Sequence, residues 1–86
     1  VSLDQPDFAL DDFNEAIRLD PSFSRAYNGR GNASLTKGLL DLALLDYTEA
    51  VRLDTLDTVP LLQRGLLLIE LKKYTEAEND FSKVLR

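Results

Sequence analysis

Apolar side chains recur along the chain at the three- and four-residue spacing of an amphipathic α-helix, in five segments separated by turn-forming residues. The first two segments run from Asp7 to about Leu19 and from Ser24 to about Lys37. The other three run from about Asp41 to Leu53, from Thr58 to about Leu71, and from about Thr75 to the end of the chain. The pattern therefore predicts five helices joined by short turns, and no strands.

The residues between these segments predict where the helices begin and end. Pro21 disfavours helix at the residue before it, so the first helix ends at that point. Ser24 and Thr58 stand 34 residues apart and are both predicted as N-caps. Gly38 offers the left-handed conformation that ends a helix, and Lys72 occupies the same position in the later turn.

The stretch from Asp46 to Asp54, DYTEAVRLD, is part of an internal repeat. The same pattern appears 34 residues earlier as DFNEAIRLD and 34 residues later as DFSKVLR. A fixed period of that size is typical of one supersecondary unit stacked on copies of itself. It indicates a repeat protein rather than a domain built around a single site.

With this period, the residues from Ser24 to Asp57 resemble a tetratricopeptide repeat. Its marker positions hold Tyr27, Gly31, Ala43, Tyr47 and Ala50, and the next unit holds Leu61, Gly65, Ala77, Phe81 and Val84. The resemblance implies an all-α fold of antiparallel helix-turn-helix repeats, stacked as a right-handed α-solenoid of about two and a half repeats in five helices. It divides the chain into the second helix of a truncated repeat (1–23), a complete repeat (24–57) and a second repeat truncated at its C-terminal end (58–86).

Small and aromatic residues recur at the same period and predict how the helices pack. Glycines on the first helix of each hairpin are expected to face alanines on the second, Gly31 with Ala43 and Gly65 with Ala77. Small residues at such positions let two helices approach closely. The recurring aromatic residues, which are expected to fill the gap between successive hairpins, are Phe13, Tyr47 and Phe81.

The composition excludes several classes of function. The chain has no Cys and no His, which excludes disulfides, zinc fingers and thiol or imidazole catalysis, and no metal or other cofactor is expected. The net charge of −5 argues against nucleic-acid binding, which needs clustered Lys and Arg. No apolar run reaches membrane-spanning length, so no membrane insertion is expected.

The ends of the chain fall inside the repeat pattern. The chain begins at Val1 and contains no Met, so we interpret it as a piece of a longer protein. The absence of a signal segment says little for such a piece, and the cytoplasm is only the default localisation. Repeats without a polar capping helix expose apolar surface, so self-association through the ends is also expected.

Charged residues recur at this period as well. Arg30 and Arg64 each precede a packing glycine, while Asp46 and Asp80 each precede a core aromatic residue. We expect structural ion pairs between Arg30 and Asp46 and between Arg64 and Asp80, because a buried charge needs a partner. The alternative is a catalytic cluster, but an active site occurs once whereas these residues recur. No catalytic residue is assigned.

The resemblance further implies a concave groove, lined by the first helix of each repeat, in which a partner binds. Its positions on the earlier helix are Arg25, Asn28, Asn32, Leu35 and Thr36. On the later helix they are Val59, Leu62, Gln63, Leu66, Ile69 and Glu70. Leu62, Leu66 and Ile69 form an apolar stripe at i, i+4 and i+7. We expect this stripe to be covered by a partner, by a second copy of the chain, or by repeats beyond this one.

These features predict a non-catalytic scaffold that binds another protein or a peptide in the groove. Two alternatives stay open: a substrate-recruiting arm of a larger enzyme, and a self-association module that uses the Leu62, Leu66 and Ile69 stripe. One subclass of the family binds acidic chaperone tails through Lys and Asn. Val59 and Gln63 stand where its basic residues are expected, so binding of such tails is not expected here.

Overall fold

The computed structural model describes residues 6–85, and these contain five α-helices and no strand. The helices are α1 Pro6–Leu19, α2 Ser24–Thr36, α3 Leu40–Leu53, α4 Thr58–Glu70 and α5 Tyr74–Val84. Each packs mainly against the helices before and after it in the chain. The predicted all-α fold is confirmed. Residues 1–5 and Arg86, which the sequence assigns to the first and last repeats, lie outside the described residues.

The starts of two helices differ by one residue from the sequence prediction. Ser24 and Thr58, predicted as N-caps, are instead the first residues of α2 and α4. Phe23 precedes α2 without a side-chain cap, and the Asp57 carboxylate accepts a hydrogen bond from the Val59 N–H at 3.0 Å. Asp is a better N-cap than Thr and stands one residue closer to the turn, so Asp57 takes the position before α4. The cap prediction was therefore wrong at both places.

The two hairpin turns share one backbone geometry although their sequences differ. Gly38 after α2 has φ of +79°, and Lys72 after α4 has φ of +63°. After α4, the Lys73 N–H donates a hydrogen bond to the Leu68 carbonyl at 2.7 Å. The equivalent bond after α2 runs from the Leu39 N–H to the Ser34 carbonyl at 2.8 Å. This left-handed conformation is easy for glycine, whereas Lys72 adopts it at a cost in free energy.

Inside each hairpin, an aromatic ring of the second helix packs on a glycine of the first helix. A Cβ on Gly31 would lie 2.7 Å from Cε1 of Tyr47, and a Cβ on Gly65 would lie 2.8 Å from Cε1 of Phe81. Each ring therefore occupies space inside its own hairpin. Tyr47 is fully buried and also clusters with Leu67 of α4. The sequence prediction placed these rings only between successive hairpins. It did not foresee that each ring also packs on the glycine of its own hairpin, in the space that the missing Cβ leaves open.

Candidate interaction site

A cleft between α2 and α4, with α3 as its floor, collects side chains from both repeats. This α2–α4 cleft encloses about 460 Å³. Its lining residues are Asn32, Leu35, Leu40, Tyr47, Gln63, Leu66, Leu67 and Glu70. Those that the sequence assigned to a groove are Asn32, Leu35, Gln63, Leu66 and Glu70. The structure thus brings groove positions from two different helices around one cavity.

Tyr47 orients a polar side chain in the α2–α4 cleft. Its hydroxyl donates a hydrogen bond to Asn32 Oδ1 at 2.6 Å. Burial raises the pKa of Tyr47, so the phenol stays a neutral donor well into alkaline solution. Because Oδ1 accepts this bond, the Asn32 amide keeps its N–H donors for a ligand.

Gln63 contributes a polar atom that no described residue satisfies. Its Oε1 is buried and accepts no hydrogen bond from residues 6–85. A buried acceptor in that state costs about 1–3 kcal/mol of folding free energy. Asn28 Oδ1 is unsatisfied in the same way, but Asn28 does not line the cleft.

Helix α4 is apolar on nearly its whole circumference. Leu67 and Leu68 are buried against the neighbouring helices. On another face, Leu62, Leu66 and Ile69 are 43%, 56% and 43% exposed. Leu66 also lines the α2–α4 cleft, whereas Leu62 and Ile69 do not. The α4 stripe, meaning these three residues, therefore continues the apolar wall of the cleft onto the open surface.

Other predicted groove residues lie apart from the α2–α4 cleft. Arg25, Thr36 and the exposed Val59 are not among its lining residues. The Thr36 hydroxyl donates to the Asn32 backbone carbonyl at 3.1 Å, so it is used within its own helix. With Arg25 outside, Glu70 is the charged residue among the side chains that line the cleft.

Two arginine–aspartate pairs each join the two helices of one repeat. Arg30 donates through Nε and Nη2 to Asp46, at 2.9 and 2.8 Å. Arg64 donates in the same way to Asp80, with both bonds at 2.7 Å. These hydrogen bonds raise the pKa of both arginines, so both guanidinium groups stay charged. The two carboxylates are buried and occupied, and their role in this arrangement is structural.

Two more clefts lie between the second helices of successive repeats, one period apart. The α1–α3 cleft encloses about 420 Å³ over the ion pair of the first hairpin, and the α3–α5 cleft encloses about 530 Å³ over that of the second. Leu42 and Leu45 line the α1–α3 cleft, and Glu76 and Asn79 occupy the equivalent positions in the α3–α5 cleft. The sequence analysis missed Leu42 and Leu45. Comparing the two repeats position by position was the signal that could have found them.

Within residues 6–85 there is no group of three or more acidic side chains arranged to hold a metal ion. None of the helices in the same range is long and apolar enough to cross a membrane.

Relatives of the chain were found by sequence. A profile of the tetratricopeptide repeat matches residues 24–55 and 60–86. The chain is 41% identical over 78 residues to DnaJ homolog subfamily C member 3 of Homo sapiens, covering 91% of this chain and 16% of that protein. It is 46% identical over 46 residues to heat shock protein STI1 of Saccharomyces cerevisiae, covering 54% of this chain and 8% of that protein. The chain thus spans a small part of the length of these relatives.

Solved structures share the arrangement of the five helices. The MamA RS-1 ArsTM double mutant superposes with a TM-score of 0.92 at 23% identity, covering 96% of this chain and 47% of that one. A crystal structure of MamA superposes with a TM-score of 0.84 at 20% identity, covering 91% of this chain and 46% of that one. At such identities the likeness concerns the fold alone. The matched repeats and the solenoid fold together show that the chain belongs to the tetratricopeptide repeat family.

Proposed function

We propose that the chain is a non-catalytic interaction scaffold whose α2–α4 cleft binds a segment of another protein. Solenoid repeats of this kind expose extended surfaces that serve protein–protein interaction. The observation that carries the proposal is the cleft itself, where groove positions from two repeats meet around one cavity. A surface held by packed helices is preformed, so little ordering free energy is lost when a partner binds.

The chemistry of the lining favours a peptide segment with an apolar anchor. Leu35 and Leu66 are 40% and 56% exposed and gain free energy when an apolar side chain covers them. Asn32 is exposed and has N–H donors left for a peptide carbonyl. An extended peptide offers an apolar side chain and a backbone carbonyl together.

An acidic segment fits the α2–α4 cleft poorly. Glu70 lines the cleft and Arg25 does not, so a carboxylate-rich ligand would meet repulsion rather than a charge partner. An acidic ligand has to be considered because one subclass of the family binds acidic chaperone tails, and the relatives include a heat shock protein and a DnaJ homolog. We therefore propose an apolar segment, not an acidic tail, as the ligand of this cleft.

Self-association is a second candidate, and the α4 stripe favours it. Leu62 and Ile69 are each 43% exposed and lie outside the cleft. A second copy of the chain packed on α4 would bury both of them. A dimer contact on α4 would leave the α2 side of the α2–α4 cleft open. Mutations can therefore separate partner binding in the cleft from self-association through the stripe.

Two pairs of substitutions separate these candidates. Leu35→Asp with Leu66→Asp places charge inside the α2–α4 cleft; because Leu66 also belongs to the α4 stripe, Leu35→Asp alone serves as the variant that changes only the cleft. Leu62→Asp with Ile69→Asp changes the stripe outside the cleft. All four side chains are at least 40% exposed, so both variants should keep their helix content, as checked by circular dichroism. Affinity capture from an extract of the source cells should lose a protein with the first variant and retain it with the second.

The reverse pattern would contradict the cleft proposal. If capture is lost only with the Leu62, Ile69 variant, the binding surface is the stripe. If that variant also converts dimers to monomers in light scattering, self-association is the function of this face. Equal capture by all three proteins excludes both surfaces.

A further inference from the structure

The α1–α3 cleft has an apolar wall that its counterpart one repeat later lacks. Leu42 and Leu45 line it and are 51% and 66% exposed. At the equivalent positions of the α3–α5 cleft, α5 carries Glu76 and Asn79. Because the α4–α5 hairpin forms the same pair of helices with polar residues there, the hairpin fold does not require leucine. Leu42 and Leu45 are therefore not explained by the packing of the hairpin itself.

Two further leucines complete this wall. Leu10 lies on α1 and Leu39 just before α3, and both line the same cavity. At the base, Arg30 pairs with Asp46 and also donates to Asn14 at 3.0 Å, so its charge is neutralised within the fold. The interior of the α1–α3 cleft is therefore mainly apolar, and it suits an apolar side chain rather than an anion.

Acidic residues border these leucines on both helices. On α3, Asp41, Leu45 and Glu49 follow one another at i, i+4 spacing and lie along one row. On α1, Asp11 and Glu15 occupy the corresponding row. The corresponding row on α5 has no acid and consists of Thr75, Asn79 and Lys83. Acidic edges on both sides thus distinguish the α1–α3 cleft from its counterpart.

The cations near this cleft are already engaged. Glu15 pairs with Arg18, and Glu49 pairs with Arg52, each one turn along its own helix. Lys37, in the turn that leads into α3, also has an interaction of its own. Asp11 and Asp41 are exposed and form no ion pair with any described residue. These two carboxylates are available to a cationic partner.

We propose that the α1–α3 cleft is a second docking surface, which binds a short basic amphipathic helix of a partner protein. Its apolar side chains enter between α1 and α3 and cover Leu42 and Leu45. Its Lys or Arg side chains face Asp11 and Asp41 at the edges. Charge complementarity of this kind gives both specificity and fast association.

A second copy of the chain does not match this chemistry. The chain has a net charge of −5. Two of its exposed apolar faces are the α4 stripe and the wall of Leu42 and Leu45 itself. The charged residues of α4 are Arg64, which is paired with Asp80, and Glu70, and the wall of Leu42 and Leu45 is bordered by acids. Neither face brings a free cation to Asp11 or Asp41, so the proposed occupant is a partner with basic residues beside its apolar stripe.

A synthetic peptide tests this surface directly. The probe is a fluorescein-labelled peptide of about 14 residues, long enough to form a helix on a surface, with Leu on one face and Lys beside it. The matched control peptide has Glu in place of every Lys. Both are titrated against the 86-residue chain and against a Leu42→Glu, Leu45→Asn variant, which copies the residues of α5. Because α5 carries these residues in the same fold, the variant is expected to fold, as checked by circular dichroism.

The Lys peptide should bind the unmodified chain, more weakly as salt increases, and the Glu peptide should not. The variant should bind the Lys peptide at least about tenfold more weakly, since two central apolar contacts are lost. The added carboxylate attracts lysine, so a loss of binding reports the apolar contacts and not the charge. The Leu35→Asp, Leu66→Asp variant of the other cleft should bind as the unmodified chain does.

Several results would overturn the proposal. Equal binding of the Lys and Glu peptides removes the charge argument. Unchanged binding by the Leu42, Leu45 variant, or loss of binding with the Leu35, Leu66 variant instead, places the peptide elsewhere. Absence of binding to the unmodified chain, with self-association that the Leu42, Leu45 variant abolishes, makes a second copy the occupant.

Discussion

At the residue scale, the same arginine–aspartate pair occurs in both repeats, but the two carboxylates differ in how deeply they are buried. Asp80 is 2% exposed and Asp46 is 7% exposed, and among the described residues each carboxylate is held by its own arginine. Arg30 also bonds Asn14 and lies over the Tyr27 ring, whereas Arg64 is bonded to Asp80. The carboxylate that is more deeply buried depends more on its arginine, because a buried charge without a partner cannot be solvated.

Removing Arg64 should therefore destabilise the fold more than removing Arg30. We expect Arg64→Met to lower the free energy of unfolding by about 2–4 kcal/mol, and Arg30→Met by about half as much. Urea unfolding followed by circular dichroism measures both. Arg52→Met, which breaks an exposed pair with Glu49, is the control and should change little.

A double-mutant cycle tests whether this loss arises from the pair. Asp80→Leu in the Arg64→Met background should restore part of the stability, since the unpaired charge is gone. Additive losses from the two substitutions would mean that the pair contributes no coupling free energy.

Tyr47 predicts how stability depends on alkaline pH. Its folded-state pKa is raised by burial, so its contribution is complete below the ordinary tyrosine value of about 10 and is lost as the pH rises beyond it. Tyr47→Phe should cost about 1 kcal/mol at neutral pH, because the bond to Asn32 is lost. Above pH ~10 the variant should lose stability less steeply than the parent. Parallel slopes in urea unfolding would contradict this account; Phe81 shows that the position accepts phenylalanine.

At the element scale, the hairpin is the unit that the chain repeats. An aromatic ring over a glycine holds its two helices together, and a left-handed residue closes its turn. The two turns are built alike from glycine in one case and lysine in the other, which makes each a control for the other.

Lys72→Gly should stabilise the chain by about 1 kcal/mol, because glycine adopts the φ of +63° without strain. Gly38→Lys should destabilise it by a similar amount, since nothing crowds that position and only the backbone conformation changes. Thermal unfolding of both variants measures these effects. A stabilising Gly38→Lys, or a neutral Lys72→Gly, would contradict the geometry of the turns.

Much of this element could be predicted from the sequence, and the reasons are local. Helical periodicity, Pro21, Gly38 and the 34-residue period define five helices without any knowledge of their packing. The N-caps were misassigned: at α4 the adjacent Asp57 is the stronger capping residue, and α2 begins after Phe23, which has no capping side chain. The position of Leu42 and Leu45 in the α1–α3 cleft was missed because helical periodicity within α3 does not report which residues of α1 and α2 line the same cavity, and only a comparison of the two repeats singles these leucines out.

At the scale of the whole molecule, the solenoid carries different chemistry on different sides. The α2–α4 cleft combines apolar walls with an oriented Asn32 amide, and the α1–α3 cleft combines leucines with acidic edges. Stacked repeats make such a division easy, because a surface residue can change in one repeat without disturbing the next.

We propose that a partner protein binds in the α2–α4 cleft, and site-specific photocrosslinking can detect it there. A photoreactive benzoylphenylalanine replaces Leu66 in the cleft or, as the control, Leu56, which is 90% exposed in the turn between α3 and α4. Both chains are irradiated in an extract of the source cells. We predict a specific crosslinked protein with the probe at position 66 and none with the probe at position 56. The same crosslinked proteins at both positions, or none at 66, would contradict the claim.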